Sequence, residues 1–500
     1  MTTYRNRSLA VTLSAAAVAT ALTATVAPTA HAGTGGPEVP ELDWTSCAGA
    51  GGQECAQLPV PLDYRHPDGP TVTLAVTRLR SDDPDKRRGV LLAIPGGPGG
   101  SGVGLLKEKG DALRKQMAGA YDIVSLDPRG VGGSTKASCE LTPDDRMLVN
   151  VRSWPGAGGD ISANTARSRR VADACHRNGG EVLRSFTTLN EARDIDLFRQ
   201  ALGERKLSGW GTSYGTYAGA VYAQLFPQHT DRWVLDSNDD PNPSRVGRGW
   251  LANAAQGTED RFPDFAAWAS DPAQEAKGLR LAERAEDVRP LVLGLAAKLD
   301  AAPKKTTTKD VPLTGNMLRQ TLQIALMSDD SFPMMAKLVK DAQDPTATPA
   351  LPPFLAQPLS DEAVAVMFGV VCNDVSWPTQ VSSYEQAVAA DRARHPLTAG
   401  MPVNVTPCTF WQDGAAEKPA RITADGPSNV LLIQNRRDPA SPYSGALKLR
   451  QALGDRARMV TVEHGGHEVY LANGNPCADR TVTTFLTTGQ RPEQDTVCPN

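Results

Sequence analysis

"SGWGTSYGTYAGAVYAQLFP", Ser208–Pro227, decides how the whole chain is read. Ser213 stands between Gly211 and Gly215; a short strand-like stretch precedes it and a small-residue, helix-period stretch follows it as far as Pro227. A strand that turns directly into a helix leaves the serine between them in a strained backbone, with its hydroxyl pointing out of the sheet. Glycines two residues to either side remove side chains that would collide with the neighbouring strand and helix, and Ala218 and Gly219 extend that small surface. G-x-S-x-G alone says little in a chain with 45 glycines, so its surroundings must decide.

Those surroundings alternate between strand and helix patterns. "TVTLAVTRLR", Thr71–Arg80, has the period of a strand. Short apolar runs follow: "GVLLAI" (Gly89–Ile94), "YDIVSLD" (Tyr121–Asp127), "KLSGW" (Lys206–Trp210), "RWVLDS" (Arg232–Ser237), "NVLLIQ" (Asn429–Gln434) and "RMVTVEH" (Arg458–His464). Runs of this length predict buried strands. Between them, "LNEARDIDLFRQALG" places Ile195, Phe198 and Leu202 on one helical face. The pattern predicts an α/β fold with a mostly parallel central sheet and helices on both faces. It stops between about residues 240 and 425. There, helical segments such as "PLVLGLAAKLD" (Pro290–Asp300) and "SYEQAVAADRAR" (Ser383–Arg394) flank a proline-rich stretch, Asp344–Pro358, with no strand series. The expected organisation is a core over 58–239, a helical cap inserted at 240–425, and the rest of the core at 426–500. An independent second domain is the less economical alternative.

The N-terminus has the marks of export. Arg5 and Arg7 precede an apolar, alanine-rich run, and Ala30-His31-Ala32 fits a small-residue cleavage site. Residues 1–32 are therefore expected to be a signal peptide, and 33–57 a leader or propeptide. A membrane anchor would lack that cleavage site, so a secreted, extracellular protein without stable membrane association is expected. Eight cysteines in an exported chain point to disulfides. They are Cys47, Cys55, Cys139, Cys175, Cys372, Cys408, Cys477 and Cys498, and none forms the C-x-x-C spacing of zinc or redox sites. Eight cysteines allow on the order of a hundred pairings; four sequential pairs, each closely spaced, are the pairing expected. Net charge is −4, from 52 basic and 56 acidic residues without a long basic run, which argues against nucleic acid as a partner.

A serine hydroxyl needs a base. His66 lies in a proline-rich turn, and His176, His229 and His395 lie in polar or helical segments. His464 and His467, in "VEHGGHEVY", follow the last strand candidate, where this fold places its histidine. His467, preceded by two glycines, is the candidate base, and His464 is the second choice. The acid should follow the penultimate strand, and "NVLLIQNRRDPASP" offers Asp438 there, to orient the imidazole and stabilise its charged form. An oxyanion hole requires backbone N–H groups. One is expected from Tyr214, after the serine, and one from "PGGPGGSG", Pro95–Gly102. A phosphate-binding loop is not a rival reading, because no Lys-Ser/Thr follows those glycines.

Together, "PGGPGGSG", "DIVSLDPRGVGGS", "GTSYGTYAGAVYAQLFP", "RWVLD", "NRRDPASP" and "GGHE" resemble the secreted tripeptidyl aminopeptidases of actinomycetes, within the prolyl-aminopeptidase-like family of α/β-hydrolase serine exopeptidases. The likeness runs from about residue 40 to 475. It implies an α/β-hydrolase fold with a helical cap, a triad of Ser213, Asp438 and His467, and oxyanion N–H groups from Gly97 and Tyr214. It implies peptide substrates cut near a free N-terminus and no cofactor or metal. Two positions depart from the family pattern: Pro95 stands where a histidine usually opens the glycine loop, and Glu468 follows the histidine where a small residue is usual. An exopeptidase must also hold the substrate ammonium, for which Asp374, Asp239 and Asp240 are candidates. A monomer is expected. The same triad would serve an esterase or lipase-like hydrolase, whereas a binding protein on this scaffold would be expected to lack a triad member.

Overall fold

In a computed structural model of the chain, the described residues are 39–48, 51–415, 417–472 and 474–499. The expected signal peptide and residues 33–38 lie outside them.

Every residue of "GVLLAI" and of "LSGWGT" is buried. Strands of that kind need cover on both faces, which a central place in a helix-flanked sheet supplies. The ten strands among the described residues are β1 (Thr45–Ser46), β2 (Gln53–Pro61), β3 (Thr71–Leu79), β4 (Gly89–Ile94), β5 (Tyr121–Leu126), β6 (Leu207–Thr212), β7 (Thr230–Asp236), β8 (Val430–Arg437), β9 (Ala457–Gly465) and β10 (Thr496–Cys498). They form one sheet in the order β1-β2-β3-β5-β4-β6-β7-β8-β9-β10. Pairing is antiparallel from β1 to β3 and between β3 and β5, and parallel from there on.

Among the described residues, the α-helices longer than five residues are α1 (Gly102–Met117), α2 (Ser162–Asn178), α3 (Thr188–Ala201), α4 (Tyr214–Leu225), α5 (Arg248–Ser270), α6 (Ala285–Ala301), α7 (Gly315–Ala325), α8 (Phe332–Gln343), α9 (Asp361–Asp374), α10 (Val381–Arg394), α11 (Tyr443–Leu453) and α12 (Pro476–Thr488). One apolar cluster joins a face of the sheet to α3 and α4, through Ile195, Phe198, Tyr217 and Val221. A second joins the other face to α1 and α12, through Leu106, Leu113, Val482 and Phe485. β7 and β8 are parallel neighbours, with Trp233 opposite Val430, so the chain between them leaves and re-enters the sheet at one place. That excursion carries α5 to α10, and its only β pairing among the described residues is the isolated bridge Lys304–Leu313. It has a core of its own, including Phe265, Leu295, Leu318 and Met335.

The sequence reading differs from the structure near the N-terminus. Residues 53–57, expected to lie in a leader, begin β2, which pairs with β3 from Gln53 opposite Leu79 to Pro61 opposite Thr71. Pro59 and Pro61 obscured the strand, yet they are tolerated because β1 reaches only Glu54 and Cys55 on the other side.

Four disulfides join Cys47–Cys55, Cys139–Cys175, Cys372–Cys408 and Cys477–Cys498, the four sequential pairs. Cys372–Cys408 fastens the end of α9 to the short turn Pro407–Phe410, both within the excursion. It closes a loop of 36 residues. Replacing both cysteines by alanine is expected to lower the unfolding free energy by about 2–4 kcal/mol, measured by urea denaturation of the oxidised protein.

Candidate active site

β6 ends at Thr212 and α4 begins at Tyr214, leaving Ser213 at φ 56°, ψ −126°. A non-glycine residue held there costs about 1–3 kcal/mol, which the surroundings must supply. The Ser213 N–H donates to the Asp236 carbonyl at 3.0 Å, and the Ser213 carbonyl accepts from the Thr216 N–H and hydroxyl at 2.8 and 2.6 Å. The flanking glycines are required sterically. A Cβ on Gly211 would stand 2.4 Å from the Gly215 carbonyl oxygen, and one on Gly215 would stand 2.4 Å from that of Ile94. The glycine loop after β4 is pressed against the serine, since a Cβ on Gly96 would lie 2.9 Å from Ser213 Cβ. Gly97 adopts φ +125° in this loop. Tyr214 opens a helix, so its N–H has no acceptor within α4.

Asp438 lies just beyond β8 and is fully buried at its carboxylate. Its Oδ1 accepts from the N–H groups of Ala440 and Ser441 at 2.8 and 2.9 Å, and both carboxylate oxygens lie 3.0 Å from His467 Nδ1. A donor at Nδ1 leaves Nε2 as the basic nitrogen. Burial alone would push the imidazole pKa down. The charge and hydrogen bond of Asp438, with smaller contributions from Glu468 and Asp239, outweigh it and raise His467 to about 9. The His467 N–H donates at 2.8 Å to the carbonyl of Met327, which follows α7 in the excursion. His464 lies within β9 and is not among the residues lining the serine's cavity.

The loop carrying His467 is held by groups the sequence reading missed. Asp236, at the end of β7, accepts from the Val469 and Tyr470 N–H groups at 2.9 and 2.8 Å. Ser237 Oγ accepts from the Glu468 N–H at 2.8 Å, and Asn435 Nδ2 donates to the carbonyls of Gly466 and Glu468. Burial pushes Asp236 up to about 7, reinforced by the charge of Glu468 and opposed by the two N–H groups. The signal was an Asp-Ser pair closing the apolar run "RWVLDS", where polar groups heading into the core demand partners.

Ser213, His467, Gly96, Gly97, Asp239 and Glu468 line one cavity of about 510 Å³. Much of the remaining wall comes from the excursion, including Trp250 of α5, Ile324 of α7 and Phe368 of α9, and a further part comes from the segment around Leu148–Arg152 between β5 and β6. Of the three aspartates considered for an ammonium, only Asp239 is brought here. Its Oδ1 accepts from Ser441 Oγ at 3.2 Å, and burial pushes it up to about 7 against that bond and the charge of His467. Asp240 turns away, paired with Lys448 at 2.5 Å. Asp374 is buried outside the cavity, where it accepts from the Thr188 N–H and hydroxyl at 2.8 and 2.5 Å. Thr188 Oγ1 in turn lies 2.9 Å from the Tyr214 hydroxyl, which donates to Glu191. Asp374 thus braces the helix behind the serine. Glu468 adds an unforeseen carboxylate to the cavity, 2.5 Å from Lys109 Nζ.

A strained serine over a parallel sheet, a buried carboxylate–imidazole pair and a glycine loop against the serine together define a serine hydrolase of the α/β-hydrolase class. Residues 89–285 match the family model described as "alpha/beta hydrolase fold", and residues 396–498 match that described as "TAP-like protein". The chain is 33% identical over 476 residues to a tripeptidyl aminopeptidase of Streptomyces lividans, covering 91% of this chain and 86% of that protein. It is 27% identical to the serine protease Hip1 of Mycobacterium tuberculosis, with 91% of each covered, and 27% identical to a carboxylesterase B of the same species, covering 95% of this chain and 93% of that protein. The chain belongs to the tripeptidyl aminopeptidase-like family of α/β-hydrolase serine peptidases.

Two outcomes follow from this geometry. Asp236→Asn withdraws an acceptor from one of two buried N–H groups, so kcat/KM is expected to fall at least about tenfold, with a lower Tm; steady-state kinetics and calorimetry check this. Proton abstraction needs neutral imidazole, so kcat/KM should be lost as pH falls through an ionisation displaced above 6.5 toward about 9. In Asp438→Asn that ionisation should move down while kcat drops by about 10⁴-fold, read from pH–rate profiles of both proteins.

Proposed function

We propose that the protein is a secreted serine exopeptidase that releases short peptides, tripeptides foremost, from free N-termini. Ser213 Oγ attacks the scissile carbonyl carbon as His467 Nε2 takes its proton, while Asp438 holds Nδ1–H and offsets the imidazolium charge. The oxyanion is received by the N–H groups of Gly97 and Tyr214. The imidazolium then gives its proton to the leaving amine, the C–N bond breaks, and the acyl group stays on Ser213. Water, deprotonated by His467, hydrolyses that ester and restores the hydroxyl.

The observation that carries the exopeptidase reading is Asp239, a buried carboxylate in the cavity that Ser213 also lines. An ammonium group brought there gains a charge-assisted hydrogen bond in a water-poor site. A cavity of about 510 Å³ fits within the range that encloses small ligands, and the relative named tripeptidyl aminopeptidase favours a tripeptide product. Four disulfides suit an oxidising compartment, which supports secretion. The relative named carboxylesterase B favours a second reading, ester hydrolysis by the same serine.

Peptides with free and acetylated N-termini, and simple esters, separate the two. Free peptides should be turned over at least about tenfold better, mass analysis should show three-residue products, and Ser213→Ala should abolish both. KM for free peptides should rise as pH falls below about 7, where Asp239 gains a proton, and Asp239→Asn should raise KM in the same way. Equal turnover of acetylated peptides, or a preference for esters, would defeat the exopeptidase reading.

A further inference from the structure

The cavity has a cation that neither the catalytic chemistry nor ammonium recognition uses. Arg152, just past the short helix Leu148–Val151, lines the cavity together with Leu148 and Val151. Its Nε is buried without a hydrogen-bond partner among the described residues. No described carboxylate lies within ion-pair distance of it, whereas the buried Arg129 pairs with Asp194 and the buried Arg261 with Asp264. Burial lowers its pKa.

A second unsatisfied group lies at the same end. Thr406 lines the cavity, and its buried Oγ1 also lacks a partner among the described residues. Asn404 Nδ2 donates to the Ser153 carbonyl at 2.6 Å, which sets the segment carrying Thr406 beside the one carrying Arg152. An unpaired guanidinium in a water-poor wall is costly to the fold. It is the group best suited to grip a planar carboxylate through two parallel N–H donors, and a threonine hydroxyl beside it can donate a third hydrogen bond.

We propose that Arg152, with Thr406 beside it, binds a carboxylate of the peptide substrate and makes the enzyme selective for peptides that bring a negative charge to this end of the cavity. The inference rests on the peptidase reading and sharpens it: the ammonium goes to Asp239 and a carboxylate goes to Arg152. Two parts of a peptide can supply that carboxylate, an acidic side chain or the free C-terminus.

The test uses the full-length oxidised enzyme and matched peptides with free N-termini. One arm exchanges Glu for Gln at each position in turn, and the other exchanges a C-terminal acid for its amide. The carboxylate member of one pair should be cleaved with a kcat/KM at least about tenfold higher, and the arm that shows it identifies the source. In Arg152→Gln that ratio should collapse towards one, and Arg152→Lys should restore part of it. Arg152→Met should melt no lower than the native protein, because it removes an unpaired buried charge. Equal treatment of every pair by the native enzyme overturns the proposal without recourse to any variant. So does an unchanged ratio in a folded Arg152→Gln protein. A neutral peptide pair, N-free and N-acetylated, is run alongside. Equal cleavage of that pair defeats the exopeptidase reading alone, and the Glu/Gln comparison still decides the role of Arg152.

Discussion

The closeness of three backbone segments governs everything else at this site. The turn at Gly211–Gly215, the end of β4 and the glycine loop after it approach so nearly that no Cβ fits at Gly96, Gly211 or Gly215 without displacing a neighbour. This contact holds Ser213 at a positive φ, and it sets the glycine loop against the serine that is the proposed nucleophile. Because β4 and β6 are parallel neighbours with Ile94 opposite Gly211, the approach is fixed by sheet register and not by loop conformation. A site built on strand ends in this way is held more tightly than one carried by loops alone.

The other half of the site is built from polar groups that end strands. β7 closes with Asp236, Ser237 follows it, and β8 carries Asn435; each directs hydrogen bonds to the loop around His467. Asp236 serves both halves, since its carbonyl accepts from Ser213 and its carboxylate from Val469 and Tyr470. Moving one strand end would therefore disturb the serine and the imidazole together. The buried braces farther out, from Asp374 through Thr188 to Tyr214, tie α9 to the helix that follows the serine.

The parts of the fold legible in the sequence were those whose signal is local. Apolar runs marked β4 to β9, the glycine pattern marked the turn at Ser213, and chain order marked Asp438 and His467. β2 was not legible because "QECAQLPVP" mixes polar residues with prolines that only a nearly open strand edge tolerates. For the adjacent pair in "SNDDP", nothing in the sequence separated Asp239, which faces the cavity, from Asp240, which faces Lys448. Arg152 carries no motif at all. Its meaning lies in what fails to surround it, a property of the folded chain alone.

The hydrogen bond from the His467 N–H to the Met327 carbonyl crosses from the loop carrying His467 into the inserted helices. An insertion joined to the sheet only at β7 and β8 invites comparison with an interchangeable module, one that evolution or an engineer could swap to change diet while leaving the chemistry alone. That bond removes the independence such a swap assumes. A foreign insertion would arrive without a carbonyl at this place and would leave the histidine backbone to find another acceptor. Exchanging the helices wholesale would therefore disturb the backbone of the loop that carries His467, whereas altering side chains on the resident helices leaves that bond in place.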